Sequence, residues 1–216
     1  MDCACGHHHA PTADPSGTPL ALANPPIALH GRLICADMAQ LMIALELLPD
    51  HVAASRAEPG CLRFDIAQSD DPMVWTLSEV FADAAAFAAH QARTAASPWG
   101  QRSQALSRDF HRHEAQPRIR PATQADAASL SALLPPGTPA LPALIAHVEG
   151  VAVAHLSPSG VATIHPALQN RGIAEALQDH AAPCPRFRPR DRGAPPLHPP
   201  PRGSTSDPTH RKGPIM

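Results

Sequence analysis

Glu79 and His90, a carboxylate and an imidazole eleven residues apart, are the pair in this chain best suited to moving a proton. Glu79 lies in W-T-L-S-E-V-F and His90 ends A-D-A-A-A-F-A-A-H. An imidazole titrates near neutral pH without special tuning, so His90 is the candidate base. Glu79 would need burial to raise its pKa far enough for that role, and could instead orient His90 or accept a substrate hydroxyl. Two other groups of residues could carry chemistry. Near the start, Cys3, Cys5, His7, His8 and His9 offer thiolate and imidazole ligands of the kind Zn(II) and Cu(I) favour. Near the end, the loop Gln169, Asn170, Arg171, Gly172, Ile173, Ala174 precedes a helical pattern, where backbone N–H groups could cradle a phosphate.

The elements that must position Glu79 and His90 are legible from residue spacing. Ile27 to Cys35 alternates as a strand, and Asp37 caps a helix with Gln40 three residues on. Met38, Leu41, Met42, Leu45 and Leu48 form the apolar stripe of that helix, which Pro49 should kink and Pro59-Gly60 should end. Leu62, Phe64 and Ile66 alternate with Arg63 and Asp65, as in a sheet covered on one side. Ser69-Asp70-Asp71-Pro72 is turn chemistry, and Met73 to Phe81 returns antiparallel. Asp83 caps an alanine-rich helix carrying Phe87 and His90, and Ser97-Pro98 starts a third helix through Trp99, Leu106 and Phe110. Six of the seven aromatic residues fall between Phe64 and Phe110, so the main core belongs here. His51, His111 and His113 have charged neighbours and read as solvent-facing.

This order of strand, helix, strand, strand, helix, helix is the ferredoxin-like α+β arrangement without its last strand. Helices on one sheet face leave the other bare, and a bare apolar face predicts a homodimer. The residues Glu58-Pro59-Gly60-Cys61, Phe64-Asp65, Glu79, Phe81, Asp83, Phe87 and His90 resemble the antibiotic biosynthesis monooxygenase family, the dimeric α+β barrels that include quinol monooxygenases. The resemblance runs from about Ile27 to His113, and no closing strand is evident after Glu114, where residues 116–123 are the remaining candidate. It implies oxygenation of a quinol or polyphenol by O2 without metal or flavin. His90 and Glu79 would be catalytic, and Phe64, Trp75, Leu77 and Phe81 would wall the substrate pocket. A small aromatic substrate, O2 and a second copy of the chain are the implied partners.

Beyond Glu114, P-R-I-R-P-A-T-Q-A-D-A-A-S-L-S-A-L-L and the stretch from Val161 to Leu177 resemble the acetyl-CoA-dependent N-acetyltransferases. That resemblance implies a truncated transferase segment with Gln169 to Ala174 as its cofactor loop, and acetyl-CoA as cofactor only if the segment works. The expected organisation is therefore a disordered Cys/His arm over 1–25, the monooxygenase-like domain over 26–115, the partial α/β segment over 116–182, and a disordered Pro/Arg-rich tail over 183–216.

Composition limits the alternatives. The 216 residues hold 27 Pro, and a formal charge of -2 supplies no general attraction to nucleic acid or anionic lipid. No run approaches the roughly 18 apolar residues of a membrane span. Five cysteines without a paired framework suit reduced thiols, and the expected location is cytoplasmic. A non-catalytic binding protein that holds metal on its Cys/His arm is the remaining alternative.

Overall fold

The computed structural model describes residues 16–131, 133–134 and 143–182. The candidate metal ligands of the arm and the Pro/Arg-rich tail lie outside them. Within the described part, two antiparallel sheets pack together. The first sheet contains β2 (Ile27–Ile34), β3 (Cys61–Gln68), β4 (Val74–Phe81) and β5 (Ser107–Glu114) in the order β3-β4-β2-β5. The second contains β1 (Thr18–Pro19), β6 (Arg118–Pro121), β7 (Leu144–Val148), β8 (Val151–Leu156) and β9 (Ala162–Ile164), in the order β1-β6-β7-β8-β9.

The fold is α+β, but the expected barrel does not form. β3 and β5 stand at opposite edges of the first sheet, β1 and β9 at opposite edges of the second, and no pairing closes either sheet. The premise of a bare apolar face also fails. Along β2, β3, β4 and β5 the face away from the helices carries His30, Arg32, Arg63, Asp65, Thr76, Ser78, Asp109, His111 and His113. Its apolar end, Ala28 and Val80, is buried with Ile119, Ala146, Val148 and Val153 of the second sheet. The chain thus covers the apolar end of that face with its own second sheet, and the rest of the face is polar.

Helix α1 (Met38–Arg56) begins where expected, with the Asp37 carboxylate accepting from the Gln40 backbone N–H at 2.9 Å. It runs through Pro49 as one helix, since a proline inside a helix removes one hydrogen bond, and tertiary packing here offsets that loss. The buried stripe is Leu41, Ala44, Leu48, His51 and Ser55, while Met38, Met42 and Leu45 face outward. α2 (Ala84–Ala96) is capped by Asp83, which accepts from Ala86 N–H at 2.8 Å. α3 is only Pro98–Arg102, because Ser107 to Glu114 is a strand and not the continuation of a helix. β5 pairs with β2 along its full length and supplies the missing closing strand, whereas residues 118–121 belong to the second sheet.

A bulge between Cys61 and Arg63 breaks the alternation of β3, so Leu62 packs with the second core while Phe64 and Ile66 stay under the helices. Part of the segment read as a disordered arm is built in: Thr18 and Pro19 pair with β6, and Leu22 is buried. The second half likewise holds more sheet than a truncated remnant should, with α4 (Ala127–Leu130) beside it and α5 (Ile173–Ala181) packed on β7, β8 and β9.

Gly31 lets the two central pairings of the first sheet coexist. A Cβ there would land on the Asp109 carbonyl oxygen and lie 2.8 Å from Phe110 Cα, both backbone atoms of the adjoining strand. Gly31→Ala must therefore push β5 off β2. A loss of about 3 kcal/mol is expected from such overpacking, read as a lower urea midpoint; an unchanged midpoint would show that the strands yield freely.

Candidate functional site

Strand alternation places Trp75, Leu77, Glu79 and Phe81 on the helix-covered face of β4. Helical spacing turns Phe87 and His90 of α2 down onto that face. Between them lies a cavity of about 520 Å³, lined by Leu29, Phe64, Leu77, Glu79, Phe87, His90, Trp99 and Phe110 among others. Glu79 and His90 are both buried, with His90 Nε2 4.0 Å from Glu79 Oε2. That separation is too long for a hydrogen bond, and Glu79 Oε2 has no hydrogen-bond partner.

His90 is oriented by a residue that spacing alone did not single out. Its Nδ1 lies 2.9 Å from Glu58 Oε2, and a carboxylate only accepts, so Nδ1 carries the proton. Nε2 is then the bare nitrogen, facing Glu79 and 3.4 Å from Thr94 Oγ1. Glu58 is held in turn by Arg93, whose Nε donates to Glu58 Oε1 and whose Nη2 donates to Ser55 Oγ at 2.8 Å. This chain of Arg93, Glu58 and His90 links the end of α1, the turn before β3 and α2. Glu79 therefore does not orient His90, because Glu58 already holds its Nδ1.

The environment moves the two groups toward opposite proton states. Burial pushes the Glu79 carboxyl up to about 8, reinforced by the neighbouring Glu58 charge and only partly offset by Arg93. Burial holds the His90 imidazole below its ordinary value, although its bond to Glu58 works the other way. At neutral pH Glu79 thus keeps its proton while His90 Nε2 is free to accept one. An acid with a raised pKa beside a base with a lowered one is an arrangement that can take a proton from a substrate and return it.

Of the four expected pocket walls, Phe64 and Leu77 line the cavity. Phe81 lies beneath it, fully buried, with its ring centroid 4.7 Å from that of His90. Trp75 packs farther along the strand beside Leu33 and takes no part in the lining. Phe87, Trp99 and Phe110 supply aromatic wall in their place. His51 is buried, not solvent-facing as its neighbours suggested. It stacks on Trp99 with centroids 5.6 Å apart and meets Phe64 edge-on at 5.3 Å. Burial first, then the charges of Arg93, His90 and Arg108, lowers its pKa to about 3, so it lines the cavity as a neutral ring. Its position at i+3 from Leu48 was the available signal. Arg108 also reaches the cavity, fixed by bonds of 3.0 Å to the carbonyls of Ser103 and Leu106 and of 2.8 Å to Ser103 Oγ.

The loop of the second half is used differently from a phosphate cradle. Arg171 points into the protein, donating to Asp83 Oδ2 at 2.6 Å and to the carbonyls of Asn24 and Ala82 at 3.0 Å. Gly172, at φ 77°, starts α5 in the left-handed region, and the first turn of α5 contains the acidic Glu175.

Residues 40–101 match the family model for antibiotic biosynthesis monooxygenase, from the first turn of α1 into α3. The match covers less than a third of the chain, and Glu58, Glu79, His90 and Arg93 lie within it. The match gives no support to the acetyltransferase resemblance of the second half. Among solved structures, a Bacteroides thetaiotaomicron protein of unknown function, described as a possible oxidoreductase, is 20% identical at a TM-score of 0.35, covering 43% of this chain and 99% of its own. A candidate antibiotic biosynthesis monooxygenase from Nitrosomonas europaea is 21% identical at 0.35, covering 44% and 94%. A Pseudomonas aeruginosa protein is 24% identical at 0.35, covering 44% and 97%. No curated protein matches the chain significantly. Among the described residues, no helix is long and apolar enough to cross a membrane.

Proposed function

We propose that the chain is a cofactor-independent monooxygenase acting on a quinol or polyphenol with O2. The observation that supports this reading is the pairing of a proton-bearing Glu79 with the bare Nε2 of His90 across 4.0 Å inside an aromatic-walled cavity. A phenolic ring is accommodated in the cavity walled by Phe64, Phe87, Trp99 and Phe110, with one hydroxyl directed at His90. His90 takes that proton, and the imidazolium is stabilised by Glu58, whose position Arg93 maintains. The phenolate then transfers one electron to O2. Recombination of the radical pair forms a C–O bond at a ring carbon that carries hydrogen, giving a peroxide anion that takes the proton back from the His90 imidazolium to become a hydroperoxide. Loss of water leaves one oxygen atom in the product as a carbonyl and sends the other out as water. Glu79 donates its hydrogen bond to the developing oxygen anion, and the fixed guanidinium of Arg108 favours the phenolate.

The test is oxygen uptake with a panel of reduced naphthoquinols, comparing wild type with His90→Ala. Uptake in the wild type that falls to background in the variant is expected. Equal rates in both would reject His90 as the base.

A further inference from the structure

On the opposite face of the first sheet from the cavity, three side chains converge from three separate segments. Leu29 and Leu33 of β2 line the cavity, so the alternating His30 faces the other way, and it is joined there by His113 of β5. The third is Glu149, in the turn between β7 and β8 of the second sheet. His30 Nε2 lies 3.4 Å from Glu149 Oε2 and His113 Nε2 lies 3.2 Å from Glu149 Oε1, and the three donor atoms all fall within 4.8 Å of one another.

From this geometry we infer that His30, His113 and Glu149 form a zinc-binding site joining the two sheets. Zinc bonds of about 2.0–2.2 Å in tetrahedral geometry set donor atoms roughly 3.3–3.5 Å apart. The two nitrogen–carboxylate separations are already close to that spacing. His30 Nε2 is buried and makes no well-formed hydrogen bond, its 3.4 Å contact with Glu149 Oε2 being long for one, which suits a ligand atom. Its other nitrogen, Nδ1, is 3.1 Å from Ser78 Oγ, which also accepts from Arg63 Nη2 at 2.6 Å. Ser78 Oγ keeps a second lone pair that can accept from Nδ1–H, and in that tautomer Nε2 is bare for a metal. Arg63 also donates to the Glu149 carbonyl at 2.6 Å, so one guanidinium braces both the ligand's backbone and the partner of His30.

The turn itself supports the assignment. Glu149 has φ 51° and Gly150 φ 79°, the two left-handed positions of a tight hairpin turn that Asn-Gly would occupy without strain. A glutamate placed there against backbone preference contributes its carboxylate. Three protein ligands leave a fourth position to water. The His30 and His113 side chains, 27% and 34% exposed, leave the ion a route in.

The experiment uses the full chain with Cys3→Ser, Cys5→Ser, His7→Ala, His8→Ala and His9→Ala, so that the arm cannot contribute ligands. Titration with Zn(II) should show one equivalent bound, and Co(II) should give the visible absorption of a four-coordinate N/O site. Glu149→Gln and His113→Gln in that background should each weaken Zn(II) binding by about 100-fold or more. Should Glu149→Gln fail to fold, His113→Gln on the edge strand decides. Zinc taken up only when the arm is intact, or one equivalent retained by a folded ligand variant, would overturn the site.

Discussion

A Glu58→Ala variant is expected to be both less stable and nearly inactive. Glu58 is the common partner of His90 Nδ1 and Arg93 Nε, so its removal strands a mostly buried guanidinium and unties the imidazole at once. Breaking such a pair from one side costs about 3 kcal/mol, because the remaining charge keeps its desolvation penalty. The freed imidazole loses the acceptor that defines its tautomer and the negative charge that stabilises its protonated form. Under the proposed chemistry, naphthoquinol-dependent oxygen uptake should fall about 10²-fold to 10⁴-fold. Glu58→Gln keeps an acceptor oxygen but no charge, and should recover stability more than rate. Urea midpoints and oxygen uptake measured together separate the two effects. If Glu58→Ala lost stability but kept the wild-type rate, the Arg93, Glu58 and His90 chain would be a structural brace and nothing more.

The second large effect is a dependence of stability on pH set by Glu79. Its folded-state pKa of about 8 lies above the ordinary 4.5, so the folded protein holds a proton that the unfolded chain has released. The contribution is complete below pH 4.5 and is lost as pH rises through 8, at about 1.4 kcal/mol per unit. His51 acts in the opposite sense. Its folded value of about 3 lies below 6.5, so its contribution is present above pH 6.5 and lost as pH falls toward 3. His90, His155 and His165 are also lowered and add to the His51 side. Burial raises Cys61 to about 12, which matters only above its ordinary value of 9. The window from pH 6.5 to 8 is therefore governed by Glu79, and wild-type stability should fall there by about 2 kcal/mol. In Glu79→Gln that slope should vanish, leaving the variant the more stable protein at pH 8.5 if it packs as well. Parallel stability profiles for the two proteins across this window would show that Glu79 is ionised in the folded state at neutral pH.

The family match and the geometry meet in the same stretch of chain, since residues 40–101 carry Glu58, Glu79, His90 and Arg93. The remainder of the cavity comes from outside that stretch, from Leu29 and Leu33 on β2 and from Arg108 and Phe110 on β5. Under the proposed chemistry, substrate choice can vary through β5 without disturbing the acid–base pair. The second half of the chain is tied to the elements of the site through Arg171, which joins its loop to Asp83 at the start of α2.

Local sequence determined those parts of the protein that follow from short-range rules. Asp37 and Asp83 announce their helices because a side-chain oxygen three residues ahead satisfies an otherwise unpaired N–H. Alternation along Val74–Phe81 and the helical period from Asp83 put Glu79 and His90 on facing surfaces. β5 was illegible because S-R-D-F-H-R-H-E places charged or polar residues on both faces, and only pairing to β2 makes it a strand. Glu58 belonged to the motif that carried the resemblance, but its role and that of Arg93 gave no local signal, since a charged residue in a turn or on a helix face reads the same whether or not it holds an imidazole. Tertiary structure alone decided the neutral state of His51, the proton on Glu79, the covering of the apolar end of the sheet's far face and the meeting of His30, His113 and Glu149. The physical reason is common to all four. Desolvation and ligand geometry depend on atoms brought together from distant parts of the chain, and neither propensity nor periodicity carries that distance.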